Sequence, residues 1–229
     1  MGRILMKTAI KYIVSSTWQP LLTKYLSKTR AYQYKGIRLQ VPTSVFHPGL
    51  FFSTHLLLKQ LMKTPLKNKT LLEPGAGSGL ISVYAAMQGA VVTATDINPS
   101  AIDCLKQNSL RNNVPLNILE SDLFDDIPLQ SFDIIVINPP YYKRRPVSFA
   151  DYAWNCGENG EYFQKLFSQL RGYVHAQTKS LLILCDGCDI EMVKSIGDKN
   201  GFCLRTVFTK ENIFEKNFIY SIESLKLLS

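Results

Sequence analysis

Short apolar runs alternate with amphipathic segments from about residue 50 onward, and this alternation restricts the fold more than any other feature of the sequence. The apolar runs are TLLEP, VVTAT, NILES, FDIIVI and SLLILC, followed by two further strand patterns at 202–209 and 217–227. Helical patterns lie between them, at 50–63, from Leu80, from Pro99, at 160–174 and at 189–199. This order predicts an α/β fold in which seven strands form a mostly parallel sheet with helices on both faces. Because only a short link joins the last two strands, we expect the last strand to run antiparallel.

The first 44 residues lack this alternation. Residues 4–28 have the pattern of two helices broken near Pro20, and AYQYKGIRLQV alternates apolar and polar residues around Lys35 and Gly36, as a hairpin does. We therefore predict a basic N-terminal extension of helices and a hairpin at residues 1–44, followed by a single domain at 45–229.

Positive charge is concentrated in the first third of the chain. Residues 1–72 contain twelve Lys or Arg and no Asp or Glu, while the whole chain has 26 basic and 18 acidic side chains, so the remainder carries 14 against 18. This asymmetry indicates an acidic or nucleic-acid surface as a partner. A solvated basic face behind a non-native leader, or a transit peptide, would have the same composition.

The cysteine count and the apolar runs indicate the compartment. Five cysteines are an odd number and lie in core-like segments, so we expect free thiols and a cytoplasmic location. No apolar run approaches the roughly 20 residues of a membrane helix, and we expect no membrane partner. Cys185 and Cys188 form a C-x-x-C pair without a second pair for zinc, and His47, His55 and His175 are isolated from other ligand types. We therefore predict no metal site.

A glycine-rich turn follows the strand TLLEP. The stretch LLEPGAGSGLIS places Gly75, Gly77 and Gly79 between a buried strand and a helix, where glycines let the backbone turn tightly against a ligand. Asp96 ends the next strand, at a position suited to holding ribose hydroxyls. A dinucleotide fingerprint would require glycine at position 80, where this chain has Leu80.

The pattern E-x-G-x-G-x-G, led by Glu73, resembles the first motif of the S-adenosylmethionine-dependent methyltransferases. An acidic residue suits the ammonium and sulfonium of that cofactor, whereas it would repel a phosphate. The resemblance implies S-adenosylmethionine as the cofactor. It also implies that Asp122 accepts from the adenine amino group, that the Leu123 backbone N–H faces the ring, and that Ile97 forms an apolar wall.

The strand FDIIVI ends in INPPYY. Pro139 and Pro140 fix φ and remove two N–H donors, and Asn138 is extended because it precedes a proline. Ligands bind outside the carboxyl ends of such strands, so we expect Asn138 to Tyr141 in the crevice of the cofactor. A planar nitrogen is a poor nucleophile, and carbonyl oxygens of Asn138 and Pro139 would bind its N–H groups and stabilise its developing positive charge. Tyr141 would offer a face for stacking.

INPPYY is similar to the N-P-P-Y motif of the amino and amide methyltransferases, which implies a class I, Rossmann-like methyltransferase domain. Residues 45–61 resemble the segment before the first strand in release-factor glutamine methyltransferases and ribosomal-RNA guanine methyltransferases, which implies a contact of Thr54 at the methionine end of the cofactor. The segment 153–167 resembles the glutamine enzymes at Gly157 and Gly160. The chain departs from the bacterial glutamine enzymes in lacking their longer helical N-terminal domain and in having EPG for Asp-x-Gly.

Three functions are open at this point. The first is methyl transfer to a glutamine side-chain amide of a protein such as a release factor. The second is transfer to an exocyclic adenine or guanine amine in rRNA or tRNA, which the basic first third favours. The third is a catalytically silent RNA- or protein-binding module, since fold does not dictate function. The intact motif at 138–141 argues against this third reading.

Overall fold

The protein is described from a computed structural model that covers residues 27–50, 52–212 and 215–225. The helices predicted within 4–28 lie outside these ranges, apart from their last two residues. The predicted hairpin is confirmed, because β1 (Arg30–Tyr34) pairs antiparallel with β2 (Ile37–Val41). Lys35 and Gly36 form its turn, both at positive φ (49° and 83°), as a type I′ hairpin turn requires.

The centre of the molecule is a seven-stranded sheet. Its strands are β3 (Thr70–Pro74), β4 (Val91–Asp96), β5 (Asn117–Glu120), β6 (Ile134–Ile137), β7 (Lys179–Cys185), β8 (Phe202–Glu211) and β9 (Lys216–Ser224). They are arranged in the order β5-β4-β3-β6-β7-β9-β8. The pairs among β3 to β7 are parallel, whereas β9 pairs antiparallel with both β7 and β8. The predicted sheet and its antiparallel last strand are confirmed.

Among the described residues, five α-helices cover the two faces of the sheet. They are α1 (Phe52–Leu61), α2 (Leu80–Met87), α3 (Pro99–Arg111), α4 (Glu161–Leu170) and α5 (Ile190–Lys199), with 3-10 turns at Asp151–Ala153 and Arg171–Tyr173. The helix predicted at 160–174 therefore ends as an α-helix at Leu170, two residues before Gly172, a poor helix former. In the part of the chain that the structure describes, no helix has the length and apolar character needed to cross a membrane.

The buried strands contribute to the two larger hydrophobic clusters of the protein. On β6, Ile134 and Val136 pack into the cluster that contains α1 and α2, and Ile135 and Ile137 pack into the cluster that contains α4. A strand covered on both faces is apolar at every position, which explains why FDIIVI is a continuous apolar run.

The hairpin shares a hydrophobic core with the sheet. Ile37, Leu39 and Val41 of β2 are buried within the same cluster as α1 and α2. Two asparagines, one in α3 and one directly after its last residue, hold β2 by its backbone. The N–H of Gln40 donates to Asn108 Oδ1 at 2.8 Å, and the N–H of Arg38 donates to Asn112 Oδ1 at 2.9 Å. The division of the chain at residue 44 stays a prediction.

Candidate active site

A cavity opens at the carboxyl ends of β3, β4 and β6, where strand order reverses and α/β sheets bind ligands. The predicted site residues that line it are Thr54, Glu73, Gly75, Gly77, Asp96, Ile97, Asp122, Leu123, Asn138, Pro139, Pro140 and Tyr141. Gly79 does not line it. Sequence reasoning did not include several further lining residues, among them Ser44, Val45, Phe46, Phe149, Tyr152 and Tyr162.

The glycine turn has the left-handed backbone that its sequence predicts. Gly75, Gly77 and Gly79 have φ of 69°, 55° and 81°, values that L side chains rarely adopt. A Cβ on Gly75 would meet nothing within 4 Å, so backbone conformation alone requires this glycine. A Cβ on Gly79 would lie 2.6 Å from Leu105 Cδ2. Gly79 therefore allows α2 to begin close against α3, and this packing explains its absence from the cavity wall.

Asp96 is held at the end of β4 by backbone donors. Its Oδ2 accepts from the N–H of Gly77 and its Oδ1 from the N–H of Asn98, each at 2.9 Å. Burial raises the pKa of Asp96 above its ordinary value, and these N–H bonds oppose the rise. A carboxylate has about four lone-pair positions, so both oxygens can still accept from the hydroxyls of a ligand.

Asn98 ties the segment before α1 to this end of the cavity. Its side-chain oxygen accepts from the N–H of Ser100 at 3.0 Å and caps α3, whose first residue is Pro99. Its Nδ2 donates to the carbonyl oxygen of Ser44 at 2.9 Å. Residues 44–46 are thereby fixed as a wall of the cavity.

Glu73 is a buried carboxyl group in the cavity wall. Burial raises its pKa to about 8, while hydrogen bonds from Ser82, including one from its hydroxyl, act in the opposite direction. The charge of Asp96 raises the pKa further. A cation bound in the cavity would favour the ionised form of Glu73 and lower this pKa.

Asp122 has a partner that the sequence did not indicate. Lys165 of α4 donates to Asp122 Oδ2 and to Asp125 Oδ2, at 2.6 Å in each case. Lys165 follows Asp122 by 43 residues, and no short motif links the two. Leu123, which comes next in the chain, adopts a left-handed φ of 57° and is buried.

The side-chain amide of Asn138 is bonded at both ends. Its Nδ2 donates to Thr54 Oγ1 at 3.1 Å, and its Oδ1 accepts from the hydroxyl of Tyr141 at 2.6 Å. Burial raises the pKa of Tyr141, so its hydroxyl is a donor at neutral pH. An amide oxygen has two lone pairs, which leaves Oδ1 one position for a further donor. Thr54, expected at the methionine end of the cofactor, therefore also contacts the motif.

The loop after the motif folds back over its own start. The N–H groups of Tyr141 and Tyr142 donate to the carbonyl oxygen of Trp154 at 2.9 and 2.8 Å. The ring of Trp154 also contacts the ring of Phe46, with 5.2 Å between centroids. Two segments about a hundred residues apart thus meet beside the cavity.

The cysteines and histidines do not form a ligand set. Among residues 27–50, 52–212 and 215–225, no group of three or more His, Cys, Asp or Glu is placed to hold a metal ion. All five cysteines are free, and burial raises the pKa of Cys188 to about 12. His55 is bonded through Nε2 to the hydroxyl of Tyr32 at 2.6 Å, which ties α1 to the hairpin.

Comparison with known proteins gives the family of this arrangement. The model of the methyltransferase small domain family matches residues 38–155. A protein of Methanocaldococcus jannaschii with the provisional description protein N5-glutamine methyltransferase is 36% identical over 148 residues, which are 62% of this chain and 73% of that protein. The ribosomal RNA small subunit methyltransferase C of Buchnera aphidicola is 29% identical over 153 residues, which are 57% of this chain and 47% of that protein. This chain therefore spans under half the length of the Buchnera protein.

Solved structures share the fold at low sequence identity. The E. cuniculi Mtq2–Trm112 complex, described as responsible for methylation of the eRF1 translation termination factor, has a TM-score of 0.63 at 21% identity, covering 79% of this chain and 99% of that one. T. thermophilus 16S rRNA methyltransferase RsmC, solved with AdoMet and guanosine, has a TM-score of 0.62 at 18% identity, covering 85% and 50%. The predicted class I methyltransferase fold is confirmed.

Proposed function

Because the chain belongs to the methyltransferase small domain family, we propose that it methylates the side-chain amide nitrogen of a glutamine in a protein such as a release factor. The chain is a methyltransferase, and its cofactor is S-adenosylmethionine. One observation carries the acceptor class: Asn138 lies in the cavity with its amide oriented from both ends by Thr54 and Tyr141. The glutamine description of the M. jannaschii relative supports the same acceptor, as does the action of Mtq2 on a termination factor.

The donor set of the cavity suits this cofactor. Glu73, Asp96 and Asp122 bring three carboxyl groups to its wall, which complement an ammonium, a sulfonium and ribose hydroxyls. A phosphate would meet the same carboxyl groups and be repelled. Ile97 and Leu123 add apolar surface for a planar ring. We propose that these residues, with Gly75 and Gly77, hold the cofactor, which supplies an electrophilic methyl group.

The residues of the motif act on the acceptor nitrogen. The free lone pair of Asn138 Oδ1 and the backbone carbonyl of Pro139 accept from its two N–H groups. These bonds draw the nitrogen toward tetrahedral geometry, direct its lone pair at the methyl carbon and stabilise the positive charge that develops. The nitrogen–carbon bond forms as the carbon–sulfur bond breaks, and one N–H proton is lost to solvent. Pro139 and Pro140 hold the acceptors in place without reorganisation.

A nucleobase amine is the second candidate acceptor. An exocyclic amine of adenine or guanine presents the same planar N–H₂ group to Asn138. The relative of Buchnera aphidicola is described as a ribosomal RNA methyltransferase, and residues 1–72 carry twelve basic and no acidic side chains. Phosphate contacts would make the affinity for RNA fall steeply with salt, with a log–log slope of about −0.7 to −0.9 per contact.

We further propose a reducing cytoplasm as the compartment, because all five thiols are free.

Transfer of a labelled methyl group distinguishes the two acceptors. The protein is incubated with labelled S-adenosylmethionine and with separate RNA and protein pools, with and without ribonuclease. We expect ribonuclease-resistant label in a protein band, and methylglutamine after hydrolysis under conditions that preserve the amide. Ribonuclease-sensitive label recovered as a methylated adenine or guanine would replace the proposal with the second candidate.

A further inference from the structure

Exposed apolar side chains are concentrated beside the mouth of the cavity. Eleven large hydrophobic residues are exposed in the described part of the chain, and four of them, Tyr142, Val147, Phe149 and Tyr152, lie within 142–152. We call this segment the rim. Phe149 and Tyr152 also line the cavity. The rim is therefore an apolar surface continuous with the candidate active site.

We propose that the rim binds the loop of the acceptor protein that carries the target glutamine, through an apolar side chain next to that glutamine and an acidic side chain nearby. This inference rests on the proposed function and adds the surface that recognises the acceptor. The first reason is continuity, because a substrate whose amide enters the cavity places its neighbouring residues on the rim.

The chemistry of the rim favours a polypeptide over RNA. Val147 is 88% exposed, more than the other exposed large hydrophobic residues of the described chain, and an aliphatic side chain cannot stack on a base. The groove that adjoins the cavity shares Asp122 with it and is also lined by Glu158, Glu161, Arg145 and Lys165, the last of which is paired with Asp122. Because the groove presents three carboxyl groups beside two cations, and not a continuous positive surface, it suits a polypeptide of mixed charge better than a phosphate backbone.

Two cations of the rim, Arg144 and Arg145, are available to an acidic side chain. The residue before them, Lys143, is instead paired with Asp189 at 3.0 Å. Arg144 and Arg145 have exposed side chains, and neither has an ion pair with any residue that the structure describes. A guanidinium binds a carboxylate in bidentate fashion, so an aspartate or glutamate of the acceptor loop would complete this part of the surface.

The rim is anchored by its own backbone. The N–H of Val147 donates to Asp151 Oδ2 at 3.2 Å, and the N–H of Asp151 donates to the carbonyl oxygen of Ser148 at 3.0 Å. Together with the bonds of Tyr141 and Tyr142 to Trp154, these contacts preform the surface before the acceptor arrives. A preformed surface binds ground state and transition state alike, so its loss should raise KM and leave kcat nearly unchanged.

The test compares Val147→Ser with Leu129→Ser, a matched control at an 81% exposed leucine outside the rim. Initial rates are measured against the purified release factor of the same organism, and calorimetry with S-adenosylhomocysteine serves as a check of the cofactor site. We expect Val147→Ser to raise KM up to about tenfold, the value of one buried valine, with kcat within about twofold and calorimetric affinity unchanged. Leu129→Ser should match the wild type. An unchanged KM in Val147→Ser, or an equal rise in Leu129→Ser, would overturn the proposal.

The wild-type protein separates this inference from the function on which it rests. If it methylates a glutamine and Val147→Ser behaves as wild type, only the role of the rim is lost. If the wild type labels RNA and not protein, both proposals are wrong. In that event Phe149→Ser should weaken RNA binding by loss of stacking while Val147→Ser should not.

Discussion

The two sides of the cavity are built in different ways. On the cofactor side, Glu73, the glycine turn and Asp96 come from two adjacent strands within 24 residues, and the backbone itself holds Asp96. On the acceptor side, Asn138 is oriented by Thr54, which is 84 residues away in the sequence. Backbone N–H groups from nearby residues thus hold Asp96, whereas Asn138 is held by a long-range side-chain contact together with the local hydroxyl of Tyr141. We expect substitutions on the cofactor side to change cofactor affinity and those on the acceptor side to change turnover.

Asn138→Ala should have the largest effect. Removing an oriented acceptor of the developing charge is expected to lower kcat about 100-fold or more, while the affinity for S-adenosylhomocysteine stays nearly intact. Steady-state kinetics measures kcat, and calorimetry measures the affinity for S-adenosylhomocysteine. Asn117→Ala, at an exposed asparagine on the edge strand β5, is the control and should leave both values unchanged. An active Asn138→Ala protein would rule out the proposed role of this amide.

Asp96→Ala should lower the affinity for the cofactor more than it lowers kcat, the opposite of Asn138→Ala. Loss of two hydrogen bonds from ribose hydroxyls to a charged acceptor is expected to weaken cofactor binding by about 2 to 4 kcal/mol. At saturating cofactor, kcat should fall far less than in Asn138→Ala. The measurement is calorimetric titration with S-adenosylhomocysteine. Unchanged affinity would remove Asp96 from the cofactor site, and the two sides of the cavity would then not differ in the way proposed.

Glu73→Gln tests the buried carboxyl through stability. Its pKa of about 8 in the folded protein lies above the 4.5 of an ordinary glutamate, so the folded state binds its proton more tightly. Stability from this group is fully present below about pH 4.5 and is lost as pH rises toward 8. We compare the free energies of unfolding of the two cofactor-free proteins by denaturant titration. Between pH 5 and pH 8, the free energy of unfolding of Glu73→Gln should rise relative to that of the wild type by on the order of 1 to 3 kcal/mol. A difference independent of pH would contradict the raised pKa.

Thr54→Val should have a smaller effect, and it sharpens the assignment of this residue. The substitution removes the acceptor of the Asn138 Nδ2 hydrogen bond at nearly constant volume. A bond of this kind contributes about 1 kcal/mol, so we expect kcat to fall about five- to tenfold with cofactor affinity unchanged. Thr54→Ser keeps the hydroxyl and should restore kcat. If Thr54→Val weakens cofactor binding and spares kcat, Thr54 contacts the methionine end, as its sequence context first indicated.

The sequence predicted the fold and the cofactor side more completely than the acceptor side. Continuous apolar strands, glycines at left-handed positions and a carboxylate at a strand end each follow from local sequence, so the mostly parallel sheet and the positions of Gly75 and Asp96 were predictable. Even on the cofactor side, Lys165 meets Asp122 only because the folded sheet brings distant segments together, and the same holds for Phe46 and Trp154 beside the cavity. No spacing rule links such pairs. For the same reason, the sequence indicated Thr54 as a site residue but did not indicate its hydrogen bond with Asn138.

Mass spectrometry of the methylated acceptor identifies the residue that receives the methyl group. The release factor of the same organism is incubated with S-adenosylmethionine and either the wild-type protein or Asn138→Ala, then digested and fragmented. We expect one added methyl group on the side-chain amide of a single glutamine with the wild type, and almost none with Asn138→Ala. A methyl group on another residue type, or no modified peptide while RNA from the same reaction carries a methylated base, would contradict it.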